Sequence, residues 1–144
     1  CADGWIILAT GNDSQYRREE FNAYLPHPHP QNLQKITSES PKVLLSEAEL
    51  AIRSNDQAQA AAIVARYGQL GLSERPVFDL LLKFAISEDG ALHAEKYYRT
   101  VTEEFAAARP AFKWRQLVAL ARVTASEYGR PASGVEEAKG LLGV

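Results

Sequence analysis

The chain has 144 residues, 46% hydrophobic and 24% charged, with a formal net charge of −2. That length suits one domain with one core, burying roughly 70% of its unfolded surface, so folding does not depend on disulfides or a metal. The near-neutral charge gives no overall pull towards nucleic acid or an anionic membrane, and no stretch approaches the roughly 20 apolar residues that span a bilayer.

Cys1 is the sole cysteine, so no disulfide can form within the chain. A lone cysteine favours a reducing compartment such as the cytoplasm without fixing it. The chain has no methionine and begins at Cys1, which fits a trimmed or processed polypeptide. The alternative is a mature lipoprotein anchored through Cys1. Against it, Trp5-Ile6-Ile7-Leu8 stands where a polar tether is expected, and no intact signal peptide is visible.

In chain order, Gly4 to Ala9 is a short apolar run, either a strand or a buried helical turn, closed by Thr10-Gly11-Asn12-Asp13. Asp13 or Ser14 can cap a helix carrying Tyr16, Phe21, Tyr24 and Leu25, which Pro26 stops. Pro26-His27-Pro28-His29-Pro30 reads as an extended loop, because proline fixes φ and lacks an N–H. Gln31 to Lys42 is polar and continues that linker. Residues 1–45 are therefore expected to form an irregular arm with one short helix and a Pro/His-rich loop. Residues 46–144 are expected to form a helical domain.

Ser46 and Glu49 make a capping box for a helix reaching about Ser54. Asn55 or Asp56 can cap the next helix, which carries Ala60, Ile63, Val64, Tyr67 and Leu70 and closes at Gly68 and Gly71. Pro76 opens a third helix, apolar to Ile86 except at Asp79 and Lys83, which can pair at i,i+4. An almost wholly apolar helix is expected to be the most buried one. Asp89 can cap a fourth, with Ala94, Tyr97, Tyr98, Val101, Phe105 and Ala108 on one face. Pro110 opens a fifth, bearing Phe112, Trp114, Leu117, Val118, Leu120, Ala121 and Tyr128, with Gly129 at its left-handed C-terminus. Ser133 and Glu136 make a second capping box for a terminal helix ending near Leu142.

Arg75-Pro76-Val77-Phe78 and Arg109-Pro110-Ala111-Phe112 lie 34 residues apart, and Ile63, Val64 and Tyr67 precede the first as Tyr97, Tyr98 and Val101 precede the second. The spacing predicts an all-α fold of two consecutive antiparallel helical hairpins, packed as a bundle or a short helical-repeat stack.

Four groups of residues can carry chemistry. On the helix opened by Asp89, the residues Asp89, His93, Tyr97 and Glu104 share one side, with Thr100 between them. A carboxylate one turn from a histidine can orient the ring for general-base work. No second histidine stands nearby to complete a metal site, so no metal is expected. The same residues equally suit a boundary histidine satisfied by Asp89. His27 and His29, two apart in extended chain, point the same way and could touch one metal, though a stiff linker explains them as well. Arg109, Lys113, Arg115 and Arg122 cluster with only Glu127 opposing them, and Trp114 lies among them. They could hold an anion or an acidic partner, or form a solvated face. Tyr97, Tyr98, Phe105, Phe112, Trp114 and Tyr128 could line a ligand cavity or simply fill the core.

Phosphate-loop, zinc-protease, zinc-cysteine and nucleophile-elbow motifs are absent from the sequence, and no cofactor is indicated. The expectation is a non-catalytic helical protein-interaction domain of the kind that serves as a subunit or fragment of a larger assembly. Its expected partner is another protein or a second copy of itself, and nucleic acid is not expected. The alternative is a helical enzyme or small-ligand-binding protein with a polar pocket around His93.

Overall fold

The computed structural model describes residues 26–87, 94–130 and 134–143. Among them seven α-helices follow one another: α1 (Pro30–Gln34), α2 (Pro41–Arg53), α3 (Gln57–Gln69), α4 (Arg75–Ala85), α5 (Ala94–Ala107), α6 (Lys113–Glu127) and α7 (Val135–Leu142). A 3-10 turn over Pro110–Phe112 leads into α6. The described residues contain no strand, so they are all-α as expected. No helix among them is long and apolar enough to cross a membrane. The expected elements at 4–25, with Cys1, lie outside the described residues.

Local chemistry sets most boundaries. Pro41 takes the first turn of α2, where a missing N–H costs nothing, with Ser40 at the N-cap. The helix therefore starts before Ser46 and runs through residues 45 and 46, and the expected Ser46–Glu49 box does not form. Glu49 instead accepts from Arg53 Nη2 at 2.9 Å. Nor is Gln31 to Lys42 all linker, since α1 packs on α3 and Ile36 enters the core. Asp56 Oδ1 accepts from Gln59 N at 2.9 Å and caps α3. Gly129 (φ 72°) follows the C-cap residue of α6, as the sequence implies. The N-cap of α7 is Gly134, while Ser133 lies outside the described residues.

Asn55 does something the sequence does not show. It sits at φ 57° between α2 and α3. Its Nδ2 donates to Ala125 O at 3.0 Å and Tyr128 O at 2.8 Å, covering carbonyls at the end of α6. Those carbonyls have no partner within the helix, and asparagine is the side chain that best tolerates the left-handed backbone.

The core centres on α3 and α6, the most closely packed pair, with α2 against α3 and α5 against α6. Ala60, Ala61 and Ala62 on α3 and Ala121 and Ala125 on α6 are all fully buried, and such small side chains let helix backbones approach. Leu117, Leu120, Ile63, Ile52, Leu44 and Leu81 fill the spaces between. Each contributes about 1.5–3 kcal/mol by leaving water. Three expectations change here. The helix at 75–85 is not the most buried: Val77, Leu80, Leu81 and Phe84 make one inward stripe, and Ile86 is 72% exposed. Its Asp79 pairs with Arg75 at 2.8 Å, not with Lys83. Moreover α3 and α4, expected to form the first hairpin, are not among the extensively packed pairs, because α3 turns its faces to α1, α2 and α6.

Candidate functional site

On α5 the buried stripe is Ala94, Val101 and Phe105, with Tyr98 partly buried. Tyr97 falls one position off that stripe and is 46% exposed, and Glu104 is exposed too. Asp89 and His93 lie outside the described residues. None of the three hollows described below is lined by Tyr97 or Glu104. Among the described residues, no group of three or more His, Cys, Asp or Glu side chains comes together as a metal centre.

The basic residues around α6 divide into two sets. Arg109 lies 5.4 Å from the Phe112 ring centre, and Lys113 Nζ lies 5.2 Å from that of Phe105. Their charges thus sit over aromatic faces, an attraction of about 0.5–1 kcal/mol at exposed sites. Arg115 lies 4.8 Å from the Phe112 ring centre and also borders a cleft. Arg122, two turns further along α6, borders the continuation of that cleft. The first turn of α6 holds no carboxylate, so its basic side chains add to the positive end of the helix dipole.

The cleft has a volume of about 700 Å³, within the roughly 300–1,000 Å³ usual for ligand sites. Pro26, His27 and Pro28 form one wall, joined by Leu33 of α1. Ala65, Gly68 and Gln69 of α3 and Trp114, Arg115 and Val118 of α6 form the rest. A hollow of about 270 Å³ shares Pro26, His27, Arg115 and Val118 with it and continues to Ala119, Arg122 and Val123.

Gly68 and Trp114 build the floor. A Cβ at Gly68 would stand 2.7 Å from Trp114 Cε3 and 2.8 Å from Cγ, so the indole lies directly against bare α3 backbone. Tyr67 backs the indole with ring centres 6.0 Å apart. Trp114 is thus a packed wall of the cleft on one face. The sequence marks Gly68 as a helix terminator, whereas its structural role is this close approach.

His27, a candidate metal ligand by sequence, stands in the cleft wall. Its ring stacks on His29 with centroids 4.5 Å apart and 19° between planes. His27 Nδ1 and His29 Nε2 are buried without a hydrogen-bond partner among the described residues. Burial pushes the His27 imidazole below the usual histidine range, and the nearby Arg122 guanidinium and His29 push it the same way. Neutral His27 therefore leaves the positive charge of this wall to the arginines.

A smaller hollow of about 80 Å³ lies between Glu49, Arg53, Phe84 and Tyr128. Arg53 Nη1 donates to Tyr128 Oη at 3.0 Å, and its guanidinium lies 5.4 Å from the Phe84 ring centre. Phe84 and Tyr128 meet edge-to-face at 5.4 Å. The group ties α2, α4 and the end of α6 together and has its own internal partners, which marks it as structural. Tyr98, Phe105 and Phe112, candidate cavity-lining residues by sequence, lie outside all three hollows. Phe78 packs edge-on against Tyr98 and Phe105 as part of the core periphery. Comparison with known protein families, with curated proteins and with solved structures gave no match.

Proposed function

We propose that this chain is a non-catalytic helical interaction domain and that the cleft between α1, α3 and α6 receives a segment of a partner protein. The observation that supports this most is the floor of that cleft: Trp114 seated on Gly68, flanked by Leu33, Ala65 and Val118. An open apolar trough along a helix is how folded domains take up a peptide or helix from another protein. In this reading α2–α3 and α5–α6 act as two antiparallel hairpins, α4 bridges them, and Pro26 to Pro28 closes the trough on one side. Among the described residues that line the cleft there is no serine, cysteine, lysine, aspartate or glutamate to act as nucleophile or carboxylate base.

Selection of a charge-balanced random peptide library on the 144-residue chain tests the reading. Enriched peptides should compete with one another and lose binding to Ala65→Gln, which places a neutral, helix-compatible side chain in the trough. Enriched peptides indifferent to Ala65→Gln, or no enrichment at all, would refute it. Self-association would show as a concentration-dependent mass in light scattering that Ala65→Gln abolishes, and would identify the partner as a second copy.

A further inference from the structure

Building on that reading, we infer that the cleft takes an acidic amphipathic segment, its apolar side chains on the Leu33, Trp114 and Val118 floor and its carboxylates on Arg115 and Arg122. Four other arginines have carboxylate partners: Arg53 with Glu49, Arg66 with Glu39, Arg75 with Asp79 and Arg99 with Glu103. Arg115 and Arg122 have none among the described residues, and neither have Arg109 and Arg130, but of these four only Arg115 and Arg122 border the cleft. Among the described residues, neither the cleft nor its continuation is lined by an aspartate or glutamate. A guanidinium at the edge of an apolar trough keeps its fork of donors for an acceptor that arrives with the ligand, and a carboxylate matches that fork.

Shape argues for a polypeptide over a small anion. From Trp114 to Val123 the trough follows α6 over ten residues, about 13 Å at the α-helical rise. Arg115 and Arg122 are seven residues apart and border the same trough, so two acceptors spaced along one segment can meet both. Nucleic acid fits less well. The chain carries a net charge of −2, which gives no overall attraction for a phosphate backbone.

The test uses the library described above and the double variant Arg115→Glu/Arg122→Glu. Both side chains are exposed, so the fold is retained. Binding is read from Trp114 emission in the Trp5→Phe chain, which leaves one tryptophan. Enriched sequences should be net acidic. The leading one, made synthetically, should bind at least about tenfold more weakly to the double variant, and its lysine-for-glutamate twin should show the reverse preference. Its affinity should also fall as salt rises. Enrichment of neutral or basic sequences, equal binding of the twins, or tighter binding of octanoate or oligothymidylate would overturn the inference. If the winners ignore charge but are blocked by Ala65→Gln, the interaction reading stands and this inference falls. If nothing enters the cleft, both fall.

Discussion

Gly68→Ala removes a glycine from α3, and by helix propensity alone it stabilises the helix by up to about 1 kcal/mol. The packing reverses that sign. The new methyl would stand 2.7–2.8 Å from Trp114 Cε3 and Cγ, inside the 3.0 Å that real Cβ contacts respect. Cγ is the root of the indole, so swinging the ring tip does not open the gap. The whole side chain must shift, with Tyr67 behind it. Overpacking of this kind costs about 1–3 kcal/mol, and near the end of α3 the propensity gain is reduced. We expect a net loss of about 1–2 kcal/mol, which lowers Tm by about 3–8 °C for a chain of this size. Thermal melts followed by circular dichroism measure it directly. In a Trp114→Ala background the clash partner is gone, and the same change should be neutral or stabilising, a coupling of about 1–3 kcal/mol. An unchanged or raised Tm in the wild-type background, or the same shift in both backgrounds, would refute the close approach.

Asn55→Ala should cost about 1.5–3 kcal/mol in urea denaturation, from two lost hydrogen bonds and a left-handed backbone without its preferred residue, whereas Asn55→Gly should cost about half of that. His27 is held below its ordinary value of 6.5 in the fold. Its contribution to stability is therefore complete above that pH and is lost as pH falls through 6.5 towards the folded value. His27→Asn should flatten the fall of Tm between about pH 7 and about pH 5, and slopes equal to wild type would contradict the burial. Leu117→Ala, at a site with no exposure, should cost about 2–5 kcal/mol. Leu50→Ala on the outer face of α2, where Leu50 is 64% exposed, should stay within about 0.5 kcal/mol.

What could be read in the sequence was what local chemistry decides. Pro76, Asp56 and Gly129 mark helix ends because each acts within a few residues of itself. The start of α2 was hidden because Gln31 to Lys42 is uniformly polar and Pro41 reads equally well as a linker residue or as a helix opener. Tyr97 and Tyr98 are adjacent aromatics, and only the inward direction of α5 separates the exposed one from the packed one. Long-range partners left no local trace. Asn55 looks like a cap for its own helix but reaches Ala125, 70 positions on. Gly68 looks like a terminator but receives Trp114. Arg115 and Arg122 could be placed on one face from their spacing of seven. That His27 stands across the trough from them depends on where the chain before α1 is laid, and periodicity carries no such information.

Chemical-shift mapping of the ¹⁵N-labelled 144-residue chain, titrated with the leading library peptide, tests the central claim most directly. Our account predicts that the Trp114 indole N–H and the amides of Ala65, Gly68, Arg115 and Val118 move first and furthest, and that Ala65→Gln abolishes these shifts. Shifts centred on the outer faces of α2 or α5, with the Trp114 indole unmoved at saturation, would contradict it.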